Sequence, residues 1–170
     1  YESYKDYYVG RKDLGGGVVL TEIHEIDLLS WFFGMPKRLW AIGGTYSDLD
    51  IEVEDTANAL LQYDSKQGSF PVNVHMSYAQ KTPGRYILVH GENGSLHWDI
   101  QEGLRYQNVS THEDEFFSFK EFERNQMFLD LMSDFLNALD SGNAPLAPLS
   151  DILGGQLIAL TIKKSLQSGN

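Results

Sequence analysis

Apolar and polar residues alternate through the middle of the chain, the pattern of half-buried β-strands. The alternation is clearest over residues 55–63 and 70–78, and residues 38–45, 85–90, 95–100, 104–109 and 116–120 also have strand character. Asn93-Gly94 favours a tight hairpin, and strands joined by tight turns pair antiparallel. We therefore predict an open, mostly antiparallel sheet of about six or more strands, at or above the usual sheet size.

Helical spacing appears at both ends of the chain. From Thr21, a predicted N-cap, apolar residues recur every three or four positions until Gly34 and Pro36 stop the helix. Residues 122–139 form a second predicted helix. A third is capped by Ser150, with a buried face at Leu153, Leu157, Leu160 and Ile162. The order helix, strands, helices indicates an α+β fold, with the helices on one face of the sheet.

The length of 170 residues fits a single domain. We divide it into an extended entry arm (1–14), a glycine turn with the active-site helix (15–34), the sheet (38–120) and two closing helices (122–168). The chain begins at Tyr1 without a methionine or a signal-like segment. We therefore expect it to be part of a longer protein.

Composition and charge exclude several classes of partner. The net charge of −11 gives no basic surface for nucleic acid, and no apolar run is long enough to span a membrane. The acidic clusters at 48–55 and 113–115 are interpreted as solvated loops. The absence of cysteine rules out disulfides, thiolate catalysis and cysteine zinc sites. It is compatible with the cytoplasm, the location that we expect.

One predicted helix carries an unusual group of polar residues, Glu22, His24, Glu25 and Asp27. His24 and Asp27 are three positions apart and are therefore neighbours on a helix. A carboxylate beside an imidazole orients it for general acid/base work. The alternative is a structural histidine among surface acids. We expect no metal site, because Glu22 and Asp27 point to different sides of the helix and no HExxH spacing is present.

The run Gly15-Gly16-Gly17 is not a phosphate-binding loop. Position 20 is Leu20, so G-x-G-x-x-G is absent, and no GK[ST] follows. The glycines are better explained as a flexible turn that lets the backbone pass close to another group. We expect no cofactor-binding residue in this chain, so a dinucleotide would be held elsewhere.

Residues 11–34 carry a triple glycine, an apolar trio, and a histidine followed by an aspartate three residues later. This segment closely resembles the start of the C-terminal domain in the glucose–fructose oxidoreductase / inositol dehydrogenase (Gfo/Idh/MocA) family. The hairpin at 89–96 and the closing helices around 132–142, with Pro148 and Asp151, extend the resemblance over nearly the whole chain.

The resemblance implies a substrate-side domain that works with an N-terminal Rossmann domain, which binds NAD or NADP. The substrate, a sugar, polyol or nucleotide sugar, would lie between the two domains, and the free sheet face would form a homo-dimer or tetramer. His24, with Asp27, would move the proton of the reacting hydroxyl. The expected substrate contacts are Arg11, Lys12, Gly16, Gly17, Thr21, Tyr78 and Arg85.

The segment before His24 departs from the family pattern. Many members carry an aspartate three or four residues before the histidine, where this chain has Thr21 and Leu20. The main hypothesis is the substrate-side domain of an NAD(P)-dependent oxidoreductase acting on a CH–OH group, inactive as an isolated fragment. The departure keeps an alternative open: a non-catalytic family member whose sheet serves only in assembly or ligand binding.

Overall fold

The structure, a computed structural model, describes residues 7–82 and 84–169. Its strands, in chain order, are β1 (Arg38–Gly44), β2 (Thr56–Ser65), β3 (Gly68–Ser77), β4 (Tyr86–Gly91), β5 (Gly94–Asp99), β6 (Gly103–Asn108) and β7 (Glu113–Ser118). Its helices are α1 (Val18–Thr21), α2 (Ile23–Phe33), α3 (Arg124–Ser141) and α4 (Leu149–Ser168). Two short 3-10 helices, Tyr8–Gly10 and Lys12–Leu14, precede them.

The chain folds as two units. Unit 1 comprises residues 1–80 and 146–170, and unit 2 comprises residues 81–145. Unit 1 holds the antiparallel sheet β1-β2-β3, in which Leu61 of β2 lies opposite Leu39 on one side and Val72 on the other. Successive side chains of a strand point to opposite faces of the sheet, so every second residue lies on the same face. With this register, the alternating apolar residues of all three strands lie on one face.

The core of unit 1 lies between this sheet face and the helices. Ala57, Leu61 and Tyr63 of β2 are buried there, together with core residues contributed by α1, α2 and α4: Val18, Val19, Ile26, Ile158, Ala159 and Ile162. The opposite face of the sheet is exposed, with Trp40, Ile42 and Leu60 each about half accessible. The helices of unit 1 thus cover one sheet face only.

Helices α2 and α4 pack closely through glycine. A Cβ atom at Gly155 would lie 2.8 Å from the Asp27 carboxylate, and one at Gly154 would collide with the Ser30 hydroxyl. The predicted buried face of α4 is therefore wrong in part. Ile162 is buried as predicted, but Leu153, Leu157 and Leu160 are about half exposed, and Ile158 and Ala159 take their place.

Unit 2 contains the antiparallel sheet β4-β5-β6-β7 and α3. Gly91 pairs with Gly94 across the first hairpin, which leaves Glu92 and Asn93 as its two-residue turn. Among the described residues of this unit, Gly103 alone is buried, and every residue of β7 is exposed. The predicted hairpin is therefore present, in a sheet without a buried core of its own.

The predicted α+β class with open antiparallel sheets is confirmed, but the seven strands form two sheets rather than one. Three local expectations are wrong. Thr21 ends α1 instead of capping a helix, α4 begins at Leu149 without a side-chain cap from Ser150, and residues 8–14 of the entry arm form 3-10 turns. Residues 1–6 of that arm lie outside the described residues. No described helix combines the length and apolarity needed to cross a membrane.

Candidate functional site

The glycine turn is packed against the chain's own polar groups. Gly16 N donates to the Arg11 carbonyl and Gly17 N to the Val9 carbonyl, each at 2.9 Å. A Cβ atom at Gly16 would collide with backbone carbonyls, and one at Gly17 would lie 2.5 Å from Glu54 Oε1. Gly17 also has a φ of +109°, which side chains disfavour. The close approach predicted for this turn is thus made by the protein itself.

Glu54 fixes the first turn of α1. Its carbonyl accepts from Val18 N at 3.0 Å, and its Oε1 accepts from Val19 N at 3.4 Å. Its Oε2 accepts from Lys163 Nζ of α4 at 2.5 Å. The interpretation of residues 48–55 as a solvated loop missed Glu54, whose side chain is only 10% exposed. No local spacing could reveal a partner 109 residues away.

Thr21 and Tyr78 form a hydrogen-bonded pair at the end of α1. The Thr21 hydroxyl donates to the Gly17 carbonyl at 2.5 Å and lies very close to the Tyr78 hydroxyl. Burial, opposed by the hydrogen bond with Thr21 and reinforced by the carboxylates of Glu22 and Glu54, raises the pKa of Tyr78 to about 12. Tyr78 therefore stays a neutral phenol at physiological pH, available as a hydrogen-bonding group.

A cavity of about 260 Å³ opens beside this pair, lined by Val9, Gly10, Thr21, Glu22, Leu49, Ile51 and Tyr78. Two of the predicted substrate contacts, Thr21 and Tyr78, thus share one concave surface. Leu49 and Ile51 were missed because they lie in the irregular loop between β1 and β2. Apolar walls with a few convergent polar groups are typical of small-molecule sites.

The loop that carries Leu49 and Ile51 is closed by the fully buried Asp55. The Asp55 carboxylate accepts from Ser47 N at 2.8 Å, from Ser47 Oγ at 2.6 Å and from Tyr46 N at 3.0 Å. Burial disfavours the ionised form, but hydrogen bonds from Ser47, Tyr46 and Thr56 outweigh it and hold the pKa of Asp55 below its ordinary value. Asp55 thereby fixes one wall of the cavity.

His24 lies at the start of α2, next to Glu22 of the cavity. Its Nε2 is 3.2 Å from Glu22 Oε2 and 3.1 Å from Glu25 Oε1. Glu22 directly precedes α2 and Glu25 follows His24 within it. His24 and Asp27 both lie in α2, as predicted. No hydrogen bond or ion pair joins them in the described part of the chain, and Asp27 packs against Gly155 of α4. The catalytic roles expected of His24 and Asp27 stay predictions.

Glu22, His24 and Glu25 are also the residues that could hold a metal ion, since their ligand atoms lie within 4.8 Å of one another. This set differs from the Glu22–Asp27 combination that helical spacing argued against. Exposed carboxylates beside a histidine commonly adopt this arrangement without an ion. The metal-free site expected from the sequence stays a prediction.

The remaining predicted contacts are dispersed. Arg11 forms an exposed ion pair with Asp13, at 2.6 Å between Nη2 and Oδ2, and Lys12 lies exposed in the second 3-10 helix. Arg85 belongs to unit 2, where its guanidinium lies 5.3 Å from the centre of the Trp98 ring. Of the predicted contacts, hydrogen bonds bring together Gly17, Thr21 and Tyr78. Substrate contact by these or the other predicted residues stays a prediction.

The sequence model for the GFO/IDH/MocA C-terminal domain matches residues 2–97, more than half of the chain. The chain belongs to this family. No curated protein matches it by sequence.

Solved structures share its fold. Myo-inositol 2-dehydrogenase from Lactobacillus plantarum is 21% identical, with a TM-score of 0.71, and the match covers 99% of this chain and 51% of that one. The WlbA dehydrogenase from Bordetella pertussis, solved with NADH and UDP-GlcNAcA, is 23% identical, with a TM-score of 0.70 and coverages of 98% and 48%. Biliverdin reductase from Synechocystis, solved with biliverdin and NADP+, is 15% identical, with a TM-score of 0.71 and coverages of 94% and 49%. The chain thus spans about half the length of these structures.

Proposed function

We propose that the chain is the substrate-side half of an NAD(P)-dependent oxidoreductase acting on a CH–OH group of a sugar, polyol or nucleotide sugar. The observation that carries this proposal is the cavity with the neutral Thr21–Tyr78 pair, beside which Glu22 contacts His24. Family membership supports the reaction class, and the inositol and UDP-sugar dehydrogenases among the similar structures support the substrate class. We propose the cytoplasm as its location.

A nicotinamide dinucleotide does not fit the glycine turn of this chain. Gly16 N and Gly17 N already donate to chain carbonyls, so they are not available to a pyrophosphate. We place dinucleotide binding in a partner domain outside this chain. The nicotinamide supplies the hydride acceptor when it is bound there.

In this proposal His24 takes the proton of the reacting hydroxyl as the carbinol becomes a carbonyl. A base is required because loss of hydride from a carbinol otherwise leaves a protonated carbonyl. Glu22 and Glu25 contact Nε2 and hold the ring in place. Tyr78 and Thr21 orient a further substrate hydroxyl, while Leu49 and the other apolar wall residues exclude water.

The proposal is tested by His24→Ala in the full-length protein. Removing a general base costs about 10²–10⁴-fold in rate, so kcat should fall by that factor while the Kd for the dinucleotide is unchanged. His97→Ala is the control, because it removes an exposed histidine of β5. A His24→Ala variant that keeps more than about a tenth of wild-type kcat, well outside that range, would make His24 a structural residue.

A second candidate is a non-catalytic family member in which this chain serves assembly or ligand binding. Thr21 at a position where the family often has aspartate favours it, as does the exposed apolar cluster of Trp40, Ile42 and Leu60. Failure of the full-length protein to reduce NAD or NADP with any of a panel of sugars and polyols, while it still self-associates, would favour this candidate.

A further inference from the structure

Glu54 and Lys163 form an ion pair that no part of the proposed chemistry uses. Glu54 lies in the loop before β2, and Lys163 lies on α4, 109 residues later. The side chains are 10% and 23% exposed, and 2.5 Å separates Oε2 from Nζ. The pair restrains both elements, because losing Lys163 would leave the largely buried Glu54 carboxylate without its cation.

Glu54 also takes over the role of an N-cap for α1. The first N–H groups of a helix have no partner within it, and a side chain at the N-cap usually accepts one of them. The N-cap here is Gly17, which has no side chain. Glu54 substitutes for it through its carbonyl and its Oε1, and Gly17 is small enough to admit the carboxylate.

The other end of α1 reaches the cavity. Thr21, the last residue of α1, bonds the Gly17 carbonyl and Tyr78, and Glu22 directly after it lines the cavity and contacts His24. A shift of this single helical turn would move Thr21 and Glu22 together. Misplacing catalytic groups by about 1 Å can cost 10²-fold in rate.

We propose that Glu54 and Lys163 are a positioning pair that locks α1, and through it Thr21 and Glu22, onto the sheet and α4. The pair touches no substrate and acts only through α1. Its effect on placement stands by itself, whereas its effect on turnover rests on the proposed function.

The test compares Lys163→Met, Glu54→Gln, the double variant and a control, Lys164→Met, in the full-length protein. Lys164 is exposed on the same helix, so the control removes one positive charge elsewhere. Hydrogen exchange is measured for a peptide spanning residues 17–22 and, as a reference, for residues 56–77. Steady-state kcat and KM are measured on the same samples.

Lys163→Met should raise exchange of residues 17–22 by about tenfold or more, because it leaves the Glu54 carboxylate without its cation, and residues 56–77 should change little. Glu54→Gln should do less, since its amide oxygen still accepts from Val19. The double variant should show slower exchange of residues 17–22 than Lys163→Met does, and Lys164→Met should exchange at the wild-type rate. Where turnover is present, kcat should fall by about tenfold in Lys163→Met, with KM for the dinucleotide within about twofold.

Unchanged exchange of residues 17–22 in Lys163→Met would overturn the positioning pair. An equal rise over residues 56–77 would also overturn it, because that result indicates general destabilisation. A double variant as impaired as the sum of the single variants would do so too, because additive effects show that the two side chains act independently. Absence of turnover in the wild-type protein would count against the proposed function alone, since the exchange data still decide the role of the pair.

Discussion

Both units are built on antiparallel sheets, but among the described residues only the sheet of unit 1 packs against a buried core. In unit 1, β2 buries four alternate residues, Ala57, Ala59, Leu61 and Tyr63, under α1, α2 and α4. In unit 2, all six residues of β7 are exposed, and no described residue of α3 is buried. Unit 1 therefore has the packing that holds a backbone rigidly, whereas unit 2 relies on ladder hydrogen bonds and turns.

This difference explains where the candidate site lies. A binding or catalytic group must be held within a fraction of an ångström, which demands packed supporting elements. Thr21, Glu22 and Tyr78 all lie close in sequence to core residues of unit 1. Val18 begins the helix that Thr21 ends, and Met76 precedes Tyr78 by two residues. Arg85, the predicted site residue placed in unit 2, lies against the Trp98 ring instead.

The largest expected effect comes from opening a cavity in the unit 1 core. Ile158→Ala should lower the free energy of unfolding by about 2–5 kcal/mol, because it removes a side chain that is 1% exposed from a packed interior. Leu88→Ala in unit 2, where the side chain is 53% exposed, should stay within about 0.5 kcal/mol. Urea denaturation followed by circular dichroism measures both. Equal losses would contradict the contrast between the units.

A slightly smaller effect is expected at the glycine turn. Gly17→Ala should cost about 2–4 kcal/mol, because it combines a backbone conformation that is nearly confined to glycine (φ 109°, ψ 150°) with a clash against the Glu54 carboxylate. Gly142→Ala, at a left-handed position, is the comparison in unit 2. It has a φ of +69° but open space around a Cβ atom, so only the backbone cost of roughly 1–2 kcal/mol applies. Similar losses in the two variants would mean that the contact with Glu54 is unimportant.

The sequence alone predicted the features that depend on residues close together along the chain. The alternation over residues 55–63 and 70–78 is present in β2 and β3, and the hairpin at 91–94 follows from glycines that bound a two-residue turn. The α+β class follows from the order of the elements.

The sequence did not reveal features that depend on packing between distant segments. Large apolar residues suggested the buried face of α4, yet glycine at 154 and 155 lets α2 approach, so the smaller Ala159 faces the core instead. His24 contacts Glu22 and Glu25 of the predicted polar group, but spacing alone favoured Asp27, which packs against α4. The ion pair between Glu54 and Lys163 joins segments that no spacing relates.

The pH dependence of unit 1 should reflect Asp55. Since hydrogen bonds hold its folded pKa below the unfolded value of about 3.9, it stabilises the fold above that pH. The contribution is lost as the pH falls through the folded pKa. Asp55→Asn should cost about 1–3 kcal/mol at pH 7, because a buried acceptor is lost, and should flatten the stability decline below pH 4. Denaturation at a series of pH values measures this. If the stability of Asp55→Asn still fell below pH 4 as steeply as that of the wild type, the decline would be due to other carboxylates.

The smallest effect on stability, but a direct one on assembly, is expected on the exposed face of the unit 1 sheet. Trp40 and Leu60 lie directly opposite each other on β1 and β2, and Ile42 extends the same apolar surface. This is the free face through which we expect self-association, whereas Val72 and Val74 of β3 pack against the core on the other face. Exposed apolar residues grouped in this way commonly mark interfaces.

Leu60→Lys should therefore shift sedimentation of the full-length protein toward the monomer, because a buried unpaired charge opposes association. Its stability as a monomer should change by no more than about 0.5 kcal/mol, since the site is solvated there. Leu88→Lys, on the equally exposed β4 of unit 2, is the matched control. Dissociation by Leu88→Lys but not by Leu60→Lys would show that the interface lies in unit 2. The sheet of unit 2 would then pack against a second copy of the chain.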